Sequence, residues 1–238
     1  MHTIEIHAAV EEILCWLEDL PQKERERISA RIRELDDDYR SATEAARPAY
    51  EVQPRLMSVD EYLSFEEASP IRHEYIGGLV HAMSGCTRRH NAISLQLAAA
   101  FTAHLRRGPC QAFINDVKVR LRVDEQDILY YPDVVVTCDR RDQEDMEEVW
   151  VQHPSLVVEV LSPSTAAIDR REKFQNYRHI ETLQEYVLVA QNTLEVTLFR
   201  RSTSWKPVVV WSREGVAEFQ SINLSLPLTQ IYEGTLVV

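Results

Sequence analysis

No stretch of this chain approaches the roughly 20 consecutive apolar residues that a membrane-spanning helix needs, so no membrane span is expected. The first residues, MHTIEIHAAVEE, have neither a basic start nor an apolar run, and no secretory leader is expected from them. Cysteine is sparse: Cys15, Cys86, Cys110 and Cys138 form no CxxC motif, which argues against a zinc knuckle or a disulfide scaffold. Together these absences point to a reduced, cytoplasmic protein. Internal repeats and low-complexity tracts are missing as well.

Positive charge is in short supply. There are 26 Lys and Arg against 38 Asp and Glu, a formal net charge of −12. Proteins that grip nucleic acid usually carry a basic footprint, because phosphate contacts supply most of their non-specific affinity. The deficit is uneven, however. Residues 1–50 hold 12 acids and 7 bases, and the run DRRDQEDMEE at 139–148 holds 6 acids and 2 bases. Removing these two segments from −12 leaves −3 for the rest of the chain, which is close to balance. Net charge therefore does not exclude a nucleic-acid partner.

What is present is enough for a good-sized domain with an extension: 238 residues, 45% of them apolar. In residues 1–50, Leu14, Leu17 and Leu20, then Ile28, Ile32 and Leu35, recur at helical spacing. Pro21 between the two sets suits the first turn of a second helix, so a helical hairpin is expected. It is too small to fold alone and suits an interaction role, homodimerisation included. A polar linker follows, ending at Pro48 and Pro54.

The second domain, residues 51–238, opens with SVDEYLSFEEAS, where Ser58 and Glu61 form a capping box. Gly77-Gly78 between β-like runs signals a hairpin. Ile93, Leu97, Phe101 and Leu105 make a helical stripe ended by Gly108-Pro109. QAFINDVKVRLRV and YYPDVVVTCD read as two strands and LVVEVLS as a third. A helix through Phe174 and Tyr177 comes next, then three strands, EYVLVAQ, EVTLFRR and KPVVVWS. This order fits an α/β or α+β domain on a central mixed sheet.

Glu159 is out of place within LVVEVLS. A carboxylate in a buried strand must be neutralised, paired or metal-bound. Asp133, after Pro132 at the mouth of a β-branched strand, is its nearest companion, 26 residues earlier. Two carboxylates side by side repel each other, and a hard divalent cation removes that penalty. Ordinary turn chemistry at Asp133 and an arginine partner for Glu159 are the alternatives. Lys118, Arg120 and Arg122 alternate with apolar residues, which puts three cations on one face of a strand leading into Pro132-Asp133. They are candidate phosphate-backbone contacts, or else a solvated strand face.

Taken as a set, Pro132-Asp133, EVLS at 159–162, PST at 163–165, Asp169, Lys173, Tyr177 and EYVLV at 185–189 resemble the Uma-two family. That family is restriction-endonuclease-like and belongs to the PD-(D/E)xK nuclease superfamily. The resemblance runs over roughly residues 55–238 and includes HEYIGG, RRHNAI and SINLSLPLTQIYEG. It implies a restriction-endonuclease-like mixed β-sheet flanked by helices. It also implies phosphodiester hydrolysis in DNA with Mg²⁺ or Mn²⁺ held by Asp133, Glu159, the Val160 carbonyl and Glu74. Lys173 assists and His90 is an auxiliary. Two positions depart from the pattern: Leu161 stands where the superfamily has its lysine, and Ala190 where relatives often have Asp. A degenerate nuclease fold used for binding or assembly is the rival expectation.

Overall fold

The structure, a computed structural model, describes residues 56–83, 85–162 and 165–237. The expected hairpin within residues 1–50 and its linker lie outside the described residues, as do Pro163 and Ser164.

Helix α1 (Val59–Ala68) starts where the capping box predicts. Glu61 N–H donates to Ser58 Oγ at 3.2 Å, and Ser58 N–H donates to Glu61 Oε2 at 2.8 Å. Two of the four orphan N–H groups of the first turn are thereby satisfied. Ser58→Ala is expected to cost about 1 kcal/mol, read as a shifted urea midpoint at unchanged slope. Strands β1 (His73–Ile76) and β2 (Leu79–Ala82) form the predicted hairpin. Gly77 and Gly78 both take positive φ, 55° and 98°, the turn that matches strand twist and that side chains resist. Helix α2 (Arg88–Leu105) buries Ile93, Leu97, Phe101 and Leu105, the stripe read from its spacing.

The region 111–137 departs from the reading of two strands: it holds four, β3 (Gln111–Ile114), β4 (Lys118–Val123), β5 (Gln126–Tyr130) and β6 (Val134–Thr137). Turns at Asn115 (φ 52°), Asp124 (φ 47°) and Glu125 (φ 65°) divide them without any glycine. Pro132, which has no N–H to donate, separates β5 from β6. Next come β7 (Trp150–Val151) and β8 (Pro154–Leu161). After β8 one helical path runs through α3 (Ala166–Ile168), a π-helical turn (Asp169–Lys173) and α4 (Phe174–Tyr177). Then follow β9 (Glu185–Ala190), β10 (Glu195–Arg200), β11 (Pro207–Trp211), β12 (Val216–Phe219), β13 (Leu224–Pro227) and α5 (Leu228–Ile231).

Six strands form a mixed sheet in the order β11-β10-β9-β8-β6-β3, with β8 parallel to β9 and antiparallel to β6. A second sheet, β2-β1-β5-β4-β7, was not anticipated. Side-chain alternation assigns the two faces of the main sheet. Val134, Val136, Val158 and Val160 pack with the α2 stripe, while Val135, Val157 and Leu161 pack with Phe174, Tyr177 and residues of β4 and β5. The mixed sheet flanked by helices is as expected. Among the described residues no helix is long and apolar enough to cross a membrane.

One expectation is corrected. Cys110 and Cys138 form a disulfide, whereas the spacing of the cysteines suggested a reduced chain. The β3–β6 register pairs Gln111 with Thr137, so the next antiparallel pair outward is Cys110 and Cys138. Strand pairing, and not sequence spacing, brings the two together. Cysteine usage therefore gives no argument for a reducing compartment.

Candidate active site

The register of the main sheet explains how the two carboxylates meet. Val134 pairs with Val158 and Val135 with Val157, so one step outward Asp133 stands opposite Glu159. Like charges directly opposite on antiparallel strands destabilise the sheet unless something neutralises them. Asp133 Oδ2 accepts the Val160 N–H at 2.6 Å and lies 3.3 Å from His90 Nε2. His90 is delivered there by the start of α2, where Thr87 Oγ1 caps its N–H. Burial lowers the His90 pKa, but the Asp133 carboxylate and the Val160 backbone outweigh it and leave the imidazole raised.

Glu159 is almost fully buried, at 3% exposure, on the opposite face from α2. Its compensation comes from Lys173, whose ammonium lies 3.3 Å from Glu159 Oε1, 2.8 Å from Glu74 Oε1 and 3.5 Å from Asp169 Oδ1. The same Nζ sits 5.3 Å above the Tyr130 ring, and the Tyr177 hydroxyl approaches Glu159 Oε1 at 3.4 Å. One cation therefore serves three carboxylates. Burial acts to lower the Lys173 pKa, yet Glu159, Glu74 and Asp169 push it well up, so the ammonium stays charged. Burial raises Glu159 well above the ordinary carboxylate range, against the pull of Lys173. Three carboxylates thus share one ammonium in a dry interior.

Leu161, at the position of the usual lysine, is core, packed with Phe174 and Tyr177. Lys173 brings its ammonium to Glu159 from the helical side instead. The π turn that ends at Lys173 is the local device, since it carries both Asp169 and Lys173 into the interior. Such turns recur at functional sites.

These residues border a cavity of about 410 Å³, lined among others by Arg72, His90, Asp133, Glu159, Asp169 and Lys173. Arg72 pairs with Asp116 at 2.6 Å at its edge and lies 5.6 Å from the Tyr131 ring centre. Glu74 enters only through other groups: its Oε1 accepts from Lys173 and, at 3.2 Å, from the Tyr131 N–H. Among the described residues, no group of three or more His, Cys, Asp or Glu side chains is arranged to hold a metal ion.

The three strand cations are not brought to this cavity. Lys118 is buried against the Tyr131 ring at 4.9 Å, and burial lowers its pKa. Arg120 pairs with Asp127 at 3.1 Å and Arg122 with Glu125 at 2.8 Å. Both arginines line a separate cleft with Arg141 and His153. Asp169 had no role in the residue reading, although its position four residues before Lys173 on a helix was a usable signal. Glu66, which accepts from the Tyr131 hydroxyl and the His73 N–H at 2.9 Å each, carried no signal at all.

The profile of the Uma2 family, described as "Putative restriction endonuclease", matches residues 59–230. The chain belongs to the Uma2 family. The resemblance read from the motifs is thereby borne out, and Asp133, Glu159 and Lys173 all fall inside the matched span. Two proteins of Synechocystis sp. are similar. Uncharacterized protein slr1290 is 38% identical over 182 residues, covering 76% of this chain and 93% of its own. Uncharacterized protein sll1609 is 31% identical over 147 residues, covering 62% and 82% respectively. A crystal structure from Anabaena variabilis, described as a "putative nuclease belonging to DUF820", superimposes with a TM-score of 0.63 at 18% identity. It covers 76% of this chain and 99% of that one, and establishes the fold.

Proposed function

We propose that this Uma2 protein is a metal-dependent endonuclease that hydrolyses phosphodiester bonds in DNA. The observation that carries the reading is the cross-strand pair Asp133 and Glu159 with the Lys173 ammonium 3.3 Å from Glu159. Lys173 thereby does spatially what a lysine at position 161 would do in sequence. A buried Glu159 opposite a half-buried Asp133, with one lysine beside a cavity, is expensive as structure alone, which favours a chemical role.

The donor set fits a hard divalent ion. Asp133, Glu159 and the Val160 carbonyl are all oxygen ligands, and Mg²⁺ is commonly held by one or two carboxylates with waters and substrate phosphate making up the rest. Bound there, Mg²⁺ or Mn²⁺ supplies Lewis acidity toward a phosphoryl oxygen and a lowered pKa for water. The protein's own residues do the remainder. Lys173 offers a fixed positive charge to the oxyanion that develops at phosphorus, where preorganised charge is most effective. Glu74 and Glu159 hold that ammonium in place. His90, 3.3 Å from Asp133, would be a hydrogen-bond donor toward the phosphate, and Arg72 at the cavity edge would be a contact for the flanking backbone.

A second reading has its own support. Lys173 and His90 already lie at ion-pair distance from Glu74, Glu159 and Asp133, as they would in a nuclease fold kept for binding or assembly. Cleavage separates the two. Wild-type protein with Mg²⁺ or Mn²⁺ is expected to nick supercoiled plasmid or cut single-stranded DNA, and Asp133→Asn to lose at least about 100-fold of that rate. Equal activity in the variant, or none in the wild type with either metal, would sink the nuclease reading and leave the binding one.

A further inference from the structure

The cleft that takes Arg120 and Arg122 has a volume of about 440 Å³ and shares no lining residue with the candidate active-site cavity. The segment between β6 and β8 adds Arg141, Gln152 and His153 to it, and the connection from α4 to β9 adds His179. Asp127 and Glu181 are the acids of the lining. Three arginines and two histidines against two acids reverse the sign of a chain whose net charge is −12. A cleft lined by one sign of charge focuses the field and draws the opposite ion.

The arginines are positioned and still have donors to offer. Arg120 donates from Nε and Nη2 to Asp127 Oδ1 at 3.3 and 3.1 Å, with its guanidinium 5.2 Å from the centre of the Trp150 ring. Arg122 engages Glu125 through Nη2, and Arg141 engages Asp139 through Nε and Nη2. A guanidinium carries five N–H donors in a fixed fork. Among the described residues, Nη1 of all three therefore has no hydrogen-bond partner. His153 and His179 likewise use Nδ1, toward Asp142 at 3.0 Å and the Gln175 carbonyl at 2.9 Å, and keep Nε2. The side chains of Arg122 and Arg141 are 62% and 61% exposed. Ion pairs this exposed are weak, and a phosphate that takes a guanidinium bidentately competes well with them.

Position relates the cleft to the active site. His153 immediately precedes β8, and Glu159 lies six residues further along the chain, toward the other end of that strand. At about 3.3 Å per residue the two places stand roughly 20 Å apart. Strand β4 makes the same connection from the other sheet. Lys118 at its start lies against Tyr131, which lines the cavity, and Arg120 and Arg122 follow it into the cleft.

We infer that this cleft is a second binding site, one that holds the phosphate backbone of a nucleic-acid strand away from the candidate active site. That the phosphates belong to a nucleic-acid strand rests on the nuclease reading; that the cleft takes an anion does not. The separation corresponds to about six nucleotides at roughly 3.4 Å each. Contacts made to phosphate fix position and register without reading sequence, so the site adds affinity and no base preference.

Fluorescence anisotropy of a labelled single-stranded DNA of about 20 nucleotides, in EDTA, reads binding with neither metal nor cleavage; each phosphate contact contributes about 0.7 to the slope of log affinity against log salt. Arg122→Gln combined with Arg141→Gln is expected to lower that slope by about 1.4 and the affinity roughly 25-fold at ~0.1 M salt. Arg107→Gln combined with Arg213→Gln makes the same change of charge at exposed positions outside the cleft. Screening should hold its loss under about 3-fold. Gln152→Lys adds a cation to the lining and is expected to tighten binding, a gain that misfolding cannot produce. Equal losses in the two double variants, or no gain in Gln152→Lys, would overturn the cleft as a site. An unlabelled mononucleotide that displaces the strand at equal concentration would overturn the strand as its occupant. Failure of the nuclease reading shows separately, as cleavage that is absent or indifferent to Asp133→Asn while this metal-free binding persists.

Discussion

Lys173→Met is expected to destabilise the metal-free protein by about 3–5 kcal/mol, the range for breaking a buried ion pair by removing one partner. Methionine keeps nearly the same length and can lie against Tyr130, so the change is chiefly one of charge. Glu74, Glu159 and Asp169 would then share a dry interior without the ammonium that now touches each of them. They would be forced to take up protons, so the loss should be larger at pH 8 than at pH 5.5, where protonation relieves the repulsion. Urea unfolding at the two pH values measures this. A loss under about 0.5 kcal/mol at both, the scale of an ordinary surface substitution, would mean that Lys173 is not the cation this cluster depends on.

Glu159→Gln is expected to act in the opposite direction on stability while abolishing cleavage. Burial raises the Glu159 pKa in the folded protein above its ordinary value of 4.5. A raised carboxyl pKa means that the folded state favours the protonated form. Its contribution to stability is therefore full below the ordinary range and is lost as pH rises through the raised value. Glutamine is neutral at every pH and has the same shape, and Lys173 retains Glu74 and Asp169 as partners. The variant should be more stable than wild type at pH 8, with the gap closing toward pH 5. A residue whose removal strengthens the fold and ends the reaction is held for chemistry. If Glu159→Gln is instead less stable across the whole range, the carboxylate is structural.

How much of this could be read from the chain depends on how far each interaction reaches. Glu159 was legible because a carboxylate in LVVEVLS breaks an otherwise apolar strand, and Asp133 because it stands where Pro132 gives way to a run of valines. Their direct opposition needed the β6–β8 register, which no local pattern displays. Lys173 was legible through the family motif alone, since its contact with Glu159 depends on how the π turn packs on the sheet. Glu74 was named as a metal ligand through the family resemblance alone; it sits on the second sheet and meets the site through Lys173. Gly77-Gly78 marked the β1–β2 hairpin of that sheet, but its other strands escaped notice because the turns into β4 and from β4 to β5 use Asn115, Asp124 and Glu125 at positive φ where glycine or proline would have marked them. The alternation of Lys118, Arg120 and Arg122 was read correctly as a strand face. Carboxylates from β5 and the turn before it, Asp127 and Glu125, pair with the two arginines.

In the proposed function, Asp133 and Glu159 are paired to hold a divalent cation beside Lys173. Calorimetric titration of Mg²⁺ and Mn²⁺ into the wild-type protein and into Asp133→Asn tests it most directly. The account predicts saturable binding of one ion per chain by the wild type and loss of that binding in the variant. No binding by the wild type, or binding that Asp133→Asn leaves unchanged, would contradict it and make the three carboxylates around Lys173 a structural ion cluster.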